Sequence, residues 1–405
     1  MRTDDFRDAA TLRAGGPALD GIHGADHAAG VQRAVPGDRG SPVWAGLARM
    51  AGEFPAPGGA HQGEWAVPRG GQRAPGPGRA DGGAVGTAGG AGADGGFGFD
   101  RAVPPGGYLW WYVDALSDDG RHGLTLIAFV GSVFSPYYAR ARKRGDTDPE
   151  DHCGINVALY GQGGHRWAFT ERRRTSLSRD ANRYNAGPSG MYWDGTCLTI
   201  RVEEMTFPIP GRLRGTIRVY PEAIDGAPVA LDDAGRHEWR PIAPCSRIEV
   251  DFLKPALRWK GRAYIDSNRG SESLEQGFAE WDWSRATLAD GSTAVLYDAT
   301  QSGGASRCIA RRFSPKGDRA DFEPGERHQL PGTGWRIARA TRAAKDAAPR
   351  VLATLEDTPF YARSLLSTQL LGEPVVAMHE SLSLGRFSSP IVQWMLPFRM
   401  PRARR

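Results

Sequence analysis

The chain has 405 residues, 40% of them hydrophobic, with 51 Lys and Arg against 46 Asp and Glu for a formal charge of +5. That is enough apolar material for a core, and the charge is too evenly interleaved for a nucleic-acid binder, which concentrates its basic residues in a stripe. Four cysteines, Cys153, Cys197, Cys245 and Cys308, stand far apart without a C-x-x-C pair, which argues against structural zinc.

The opening MRTDDFRDAATLRAGG lacks the apolar core of a signal peptide. No run of about 18 apolar residues is present to cross a membrane as a helix. A soluble or peripherally bound protein is expected, and the sparse cysteines fit a reducing cytoplasm. Residues 1–100 are rich in Gly, Ala, Pro and Arg and poor in large apolar groups. Such a segment cannot bury enough surface to offset its ordering entropy, so a disordered extension is expected. A short helix is expected only near Trp44–Met50, and true translation could begin later than Met1.

From Tyr108 the texture changes. LTLIAFVGSVF, GINVALYG, HRWAFTERR, CLTIRVEE, RGTIRVYP, SRIEVDF and RWKGRAYID are short runs rich in Val, Ile, Thr and aromatics, separated by turn residues. That is the strand-and-turn pattern. WDGTC and ADGST place Asp-Gly between such runs, a hairpin signal. After Asp298 the pattern continues through SRCIARRF, GWRIARATR, RVLATLED, FYARSLLSTQLL and PVVAMHESLSL, with a helix conceivable only near Ser364–Leu371. The fold class predicted is all-β: two consecutive antiparallel barrel or sandwich domains, 101–254 and 255–405, dividing near Pro255.

Side chains alternate faces along a strand, so Trp110, Tyr112 and Asp114 share one face of GYLWWYVDALSDDG, and Trp111 and Val113 the other. Core packing accounts for many of these rings, and a ring-lined ligand slot is the functional alternative. Tyr137 and Trp239 are further slot candidates. The triplet Asp151–Cys153 cannot share a metal, because adjacent strand residues diverge. GQGG at Gly161–Gly164 reads as a turn and ERRRTSLSRD as a solvated basic loop; no phosphate loop or nucleophile elbow is present.

In RAYIDSNRGSESLEQGFAEWDWSR, Tyr264, Asp266 and Asn268 share a face, as do Trp281 and Trp283. Asp266 either caps a turn with its neighbours or is an acid inside an aromatic barrel interior, where burial would raise its pKa. Glu272 and Glu275 read as solvated. The tail IVQWMLPFRMPRARR reads as a final strand with a frayed basic end, or as a membrane-surface contact.

Six blocks taken together resemble the carotenoid 1,2-hydratases of phototrophic purple bacteria: GLTLIAFVGSVFSPYYARAR, DHCGINVALYG, RWAFTERR, GPSGMYWDGTCLTI, GRHEWRPIAP and YIDSNRGSESLEQGFAEWDWSRA. The resemblance runs from about Gly106 to Asp298. It implies paired lipocalin-like β domains and a cofactor-independent lyase. Such an enzyme adds water across the terminal C1–C2 double bond of lycopene or neurosporene, on the way to spheroidene or spirilloxanthin in photosynthetic cells. It also makes Asp266 the catalytic acid, with Tyr264 and Trp239 beside the cation, and Trp281, Trp283, Asn268, Trp110, Tyr112 and Tyr137 against the substrate. A polyene carrier, or a β-barrel cyclase or isomerase of terpenoids, would share much of this pattern. A lipid-soluble substrate implies peripheral association with the intracytoplasmic membrane, and neither a metal nor nucleic acid is implied.

Overall fold

The computed structural model describes residues 96–161 and 164–403. The expectations for the extension up to residue 95, including the helix near Trp44–Met50, lie outside the described residues, as do Gln162 and Gly163 of the expected turn. Eight strands form the first unit: β1 (Tyr108–Ser117), β2 (His122–Val130), β3 (Cys153–Gly161), β4 (Arg166–Ala168), β5 (Leu198–Thr206), β6 (Gly211–Pro221), β7 (His237–Lys254) and β8 (Ala256–Gly270). Each pairs antiparallel with the next, and β8 returns to β1, closing a meander barrel. The thinnest joint is β4 to β5, held at Ala168 and Thr206.

Strands β5 and β6 alternate as the pleat requires: Leu198, Ile200, Val202, Leu213, Ile217 and Val219 enter the barrel core, and the residues between them face outward. By contrast β1 and the end of β8 are buried on both faces, because a second sheet covers the outside of the barrel there. Residues 96–100, expected in the disordered extension, are placed against the barrel. Phe97 and Phe99 pack into the barrel core against Trp193 and Trp111, at ring distances of 4.9 and 5.0 Å, and Trp111 donates its indole N–H to the Phe97 carbonyl.

The second sheet contains β9 (Phe278–Thr287), β10 (Thr293–Gln301), β11 (Ser306–Phe313), β12 (Arg319–Asp321), β13 (Arg350–Asp357), β14 (Tyr361–Leu370) and β15 (Glu373–Ser383), in the order β12-β11-β10-β9-β15-β14-β13. All neighbours are antiparallel. The all-β expectation therefore holds, as a closed eight-stranded barrel followed by a seven-stranded sheet. Both Asp-Gly signals close hairpins, with Gly195 at φ 100° and Gly291 at φ 85°, backbone that glycine tolerates best.

Three expectations change. The expected division near Pro255 falls inside a barrel hairpin, where Leu253 pairs with Ala256, and the chain leaves the barrel only after Gly270. The segment 364–371 is strand β14 rather than helix. Leu365 and Leu366 are buried on opposite faces of a doubly covered sheet, and such a strand loses its alternation and imitates a buried helix. The tail is not a strand: α3 (Leu384–Phe387) and α4 (Pro390–Arg399) follow β15. Pro390 opens α4, and Val392, Leu396 and Met400 recur every fourth residue on its inner face. Two further helices are α1 (Pro136–Lys143) and α2 (Leu274–Gly277).

Candidate active site

Register builds the site. On β1 and β8, Trp110 pairs with Asn268, Tyr112 with Asp266, and Asp114 with Tyr264. All six side chains therefore leave the barrel on one face, while Trp111, Val113 and Ile265 fill its interior. The expected aromatic surroundings of Asp266 exist, but on the outside of the barrel. They form a seam against the second sheet, which contributes Trp281, Trp283 and Tyr297.

Asp266 is almost completely buried. Its Oδ2 accepts the Tyr264 hydroxyl at 2.7 Å and the Trp239 indole N–H at 2.9 Å. Its Oδ1 is buried with no hydrogen-bond partner among the described residues. Burial pushes the carboxyl up to about 7, against the two donors, which favour the ionised form; the nearby charges of Glu380 and Asp114 push it further up. The turn-capping alternative for Asp266 does not fit, since the residue sits within β8, paired with Tyr112 of β1, and its chain neighbours Ile265 and Ser267 pair with β7 across a register shift.

Rings enclose this carboxyl. Trp283 lies 5.4 Å from both Tyr264 and Tyr112, and Trp281 lies 5.5 Å from Tyr297 and 6.3 Å from Trp110. Asn268 donates its amide to the Tyr297 hydroxyl at 3.0 Å. The Trp283 indole N–H is buried in the seam without a partner among the described residues. Tyr137 is not brought here. It lies on α1, with the Arg402 guanidinium 5.9 Å from its ring.

Several residues of the seam escaped the sequence reading. Asp114 accepts from Arg285 at 2.5 Å and from Arg363, and Arg363 also pairs with Glu380. The Tyr112 hydroxyl donates to Glu380 at 2.8 Å. Burial pushes the Glu380 carboxyl up, opposed by Arg363 and by Tyr112. An aromatic pair adds about 0.5–1.5 kcal/mol, whereas breaking a buried ion pair costs about 3–5 kcal/mol. The ties of Asp114 to Arg285 and Arg363 are therefore the links of barrel to sheet that cost most to break from one side. Arg363 and Glu380 were signalled in sequence by a charge inside each of two apolar strands, FYARSLL and VVAMHESL. His237 was also missed: it is buried, shares a proton with the Tyr108 hydroxyl at 2.9 Å, and faces Glu272 at 3.3 Å. Glu272 and Glu275 are less solvated than expected, since Glu275 holds Arg142 at 2.9 Å.

In chemical terms the seam presents a carboxylic acid that is half-protonated near neutrality. One oxygen is fixed by two donors and the other is free, in surroundings of aromatic faces. Such a group can donate a proton to a weak base that water would not protonate.

Residues 126–405 match the family model described as Carotenoid hydratase CrtC. The chain is 54% identical over 378 residues to the acyclic carotenoid 1,2-hydratase of Thiocapsa roseopersicina, covering 93% of each chain. It is 53% identical over 380 residues to the acyclic carotenoid 1,2-hydratase of Rubrivivax gelatinosus, covering 93% of this chain and 94% of that one. Among solved structures it is similar to a Nitrosomonas europaea protein described as an AttH, with a TM-score of 0.48, 15% identity, and coverage of 68% of this chain and 92% of that one.

Proposed function

The chain belongs to the carotenoid hydratase CrtC family and hydrates acyclic carotenoids, and we propose that it does so by acid catalysis from Asp266 at the terminal C1–C2 double bond. The observation that carries this reading is the buried Asp266 carboxyl with a free Oδ1, held near neutrality in a ring-lined seam.

The steps balance without a cofactor. Asp266 Oδ1 gives its proton to C2 of the alkene, and the positive charge appears at C1, which bears two methyl groups. Aromatic faces stabilise this cation by about 0.5–2 kcal/mol each and offer no nucleophile to trap it. Trp239 and Tyr264 are bonded to the acid, and Trp283 lies 5.4 Å from Tyr264. Water adds to C1 and forms the tertiary alcohol, and its surplus proton returns to the Asp266 carboxylate. Microscopic economy favours one group in both roles, because the carboxylate is a base of matched strength once it has ionised. The unpartnered Trp283 N–H is suited to hold the attacking water, while the Asn268 amide is already given to Tyr297.

Trp281, Trp110 and Tyr112 extend the apolar wall along the polyene, and Tyr137 has no place in it. The substrate dissolves in lipid rather than water, so peripheral attachment to a membrane belongs to the same reading. No helix among the described residues is long and apolar enough to cross a bilayer. The test is Asp266→Asn with lycopene as substrate: a folded variant that still forms the hydrated product in quantity sinks the assignment.

A further inference from the structure

Helix α4 has two apolar faces. Its inner face, Val392 and Leu396, packs into the same buried cluster as Trp110, Tyr264 and Trp281. Its outer face carries Ile391, Trp394 and Phe398 at 66%, 57% and 47% exposure. The spacing of three and four residues puts them on one stripe, and the Trp394 and Phe398 rings touch at 5.4 Å. Exposed tryptophan and phenylalanine in one stripe are costly on a surface that meets only water.

The neighbouring helix supplies charge. Helix α1 packs against α4 and ends in the basic run Arg140, Lys143 and Arg144, all exposed. Exposed Arg386 precedes α4. An apolar stripe on a helix whose neighbouring elements carry exposed cations complements the boundary of a bilayer containing anionic lipid.

A chain of rings connects the preceding helix α3 to the acid. Phe387, at the end of α3, lies 5.9 Å from Phe134; Phe134 lies 6.4 Å from Phe129; Phe129 lies 6.3 Å from Trp110. From Trp110 the chain passes through Trp281 and Tyr297 to Trp239, whose N–H is bound to Asp266.

We propose that the outer face of α4 docks on an anionic bilayer, and that α3 and α4 cover the end of the seam through which a polyene passes from lipid to Asp266. This deepens the hydratase reading and rests on it for the identity of the cargo. Docking delivers a substrate that never has to enter water, and the ring chain gives it an apolar route.

The test uses the full chain and the double variant Trp394→Ala/Phe398→Ala, whose truncated side chains are exposed and leave the core intact. Partition is measured by co-sedimentation with vesicles of phosphatidylcholine alone, and of phosphatidylcholine with an equal amount of phosphatidylglycerol. The full chain is expected to partition to the anionic vesicles, and the double variant to lose about tenfold or more of that partition. Hydration of lycopene carried in vesicles should fall in parallel, while hydration of lycopene in detergent micelles is retained. Unchanged partition overturns the proposal. Conversion of a dimer to monomers, with partition unchanged, also overturns it and makes the stripe a contact between copies. Loss of hydration in detergent as well would overturn the delivery role of the stripe, since the truncation would then act on catalysis itself; the Asp266 reading is tested separately by Asp266→Asn, and the partition measurement, which needs no catalysis, decides the docking face.

Discussion

Trp239 and Asp266 lie on adjacent barrel strands, and the indole N–H of the first is donated to Oδ2 of the second at 2.9 Å. Together with the Tyr264 hydroxyl on the same oxygen, this bond makes the two carboxyl oxygens inequivalent. Oδ2 is held, and Oδ1 is left to carry the proton. In the proposed reaction the Trp239 N–H orients the acid and its ring would face the cation.

Replacing Trp239 separates those two contributions. Trp239→Phe keeps a ring and loses the donor, so the ionised form of Asp266 loses one stabilising bond and its pKa rises. The activity of this variant should persist to higher pH than that of the natural chain, with a modest loss of rate. Trp239→Ala also removes the ring and should lose about tenfold more. Equal rates for the two variants would show that the ring face contributes nothing to the cation.

The pH profile follows from Asp266 acting as an acid. Its carboxyl must be protonated before reaction, and it titrates at about 7. Initial rates of lycopene hydration should be level in mildly acidic solution and fall by about tenfold per pH unit above that value. Glu380→Gln removes a negative charge that raises the Asp266 pKa, so the fall should begin at lower pH. An unshifted profile would mean that the second sheet does not tune the acid.

Stability should record the same group. In the unfolded chain Asp266 ionises near 3.9, and in the fold at about 7. Its contribution to stability is thus present below about pH 4 and is lost as pH rises towards 7, by up to about 1.4 kcal/mol per unit. Asp266→Asn cannot ionise, so its melting temperature should gain on that of the natural chain across this window. A constant difference between the two melting curves would contradict the buried, neutral acid.

The link between barrel and sheet is equally exposed to test. Arg363→Met leaves Asp114 and Glu380 buried without their shared partner and should cost about 3–5 kcal/mol in denaturant unfolding. Asp114→Asn combined with it should cost clearly less than the sum of the two single changes. Simple additivity would show that the ion pair does not act as a unit.

Much of this seam was legible before the structure. Period-two alternation put Tyr264, Asp266 and Asn268 on one face and Trp110, Tyr112 and Asp114 on another, and pairing of β1 with β8 merely laid the two faces side by side. The direction of that shared face was not legible. Parity tells which residues travel together, and a strand buried on both sides gives no sign of which side is barrel interior. The partners from the second sheet were hidden for a different reason. Arg363 and Glu380 lie 97 and 114 residues beyond Asp266 in the chain, and a lone charge in a strand does not reveal its partner. The helix α4 was misread because its short apolar run suits a buried strand equally well.

The central claim is that Asp266 delivers the proton, and the direct measurement is hydration of lycopene in deuterium oxide by the natural chain and by Asp266→Asn. The natural chain should give a hydrated product bearing one non-exchangeable deuterium at C2, and the folded variant should give none above background. A folded Asp266→Asn protein that hydrates lycopene at a comparable rate, with the same deuterium at C2, would place the acid elsewhere.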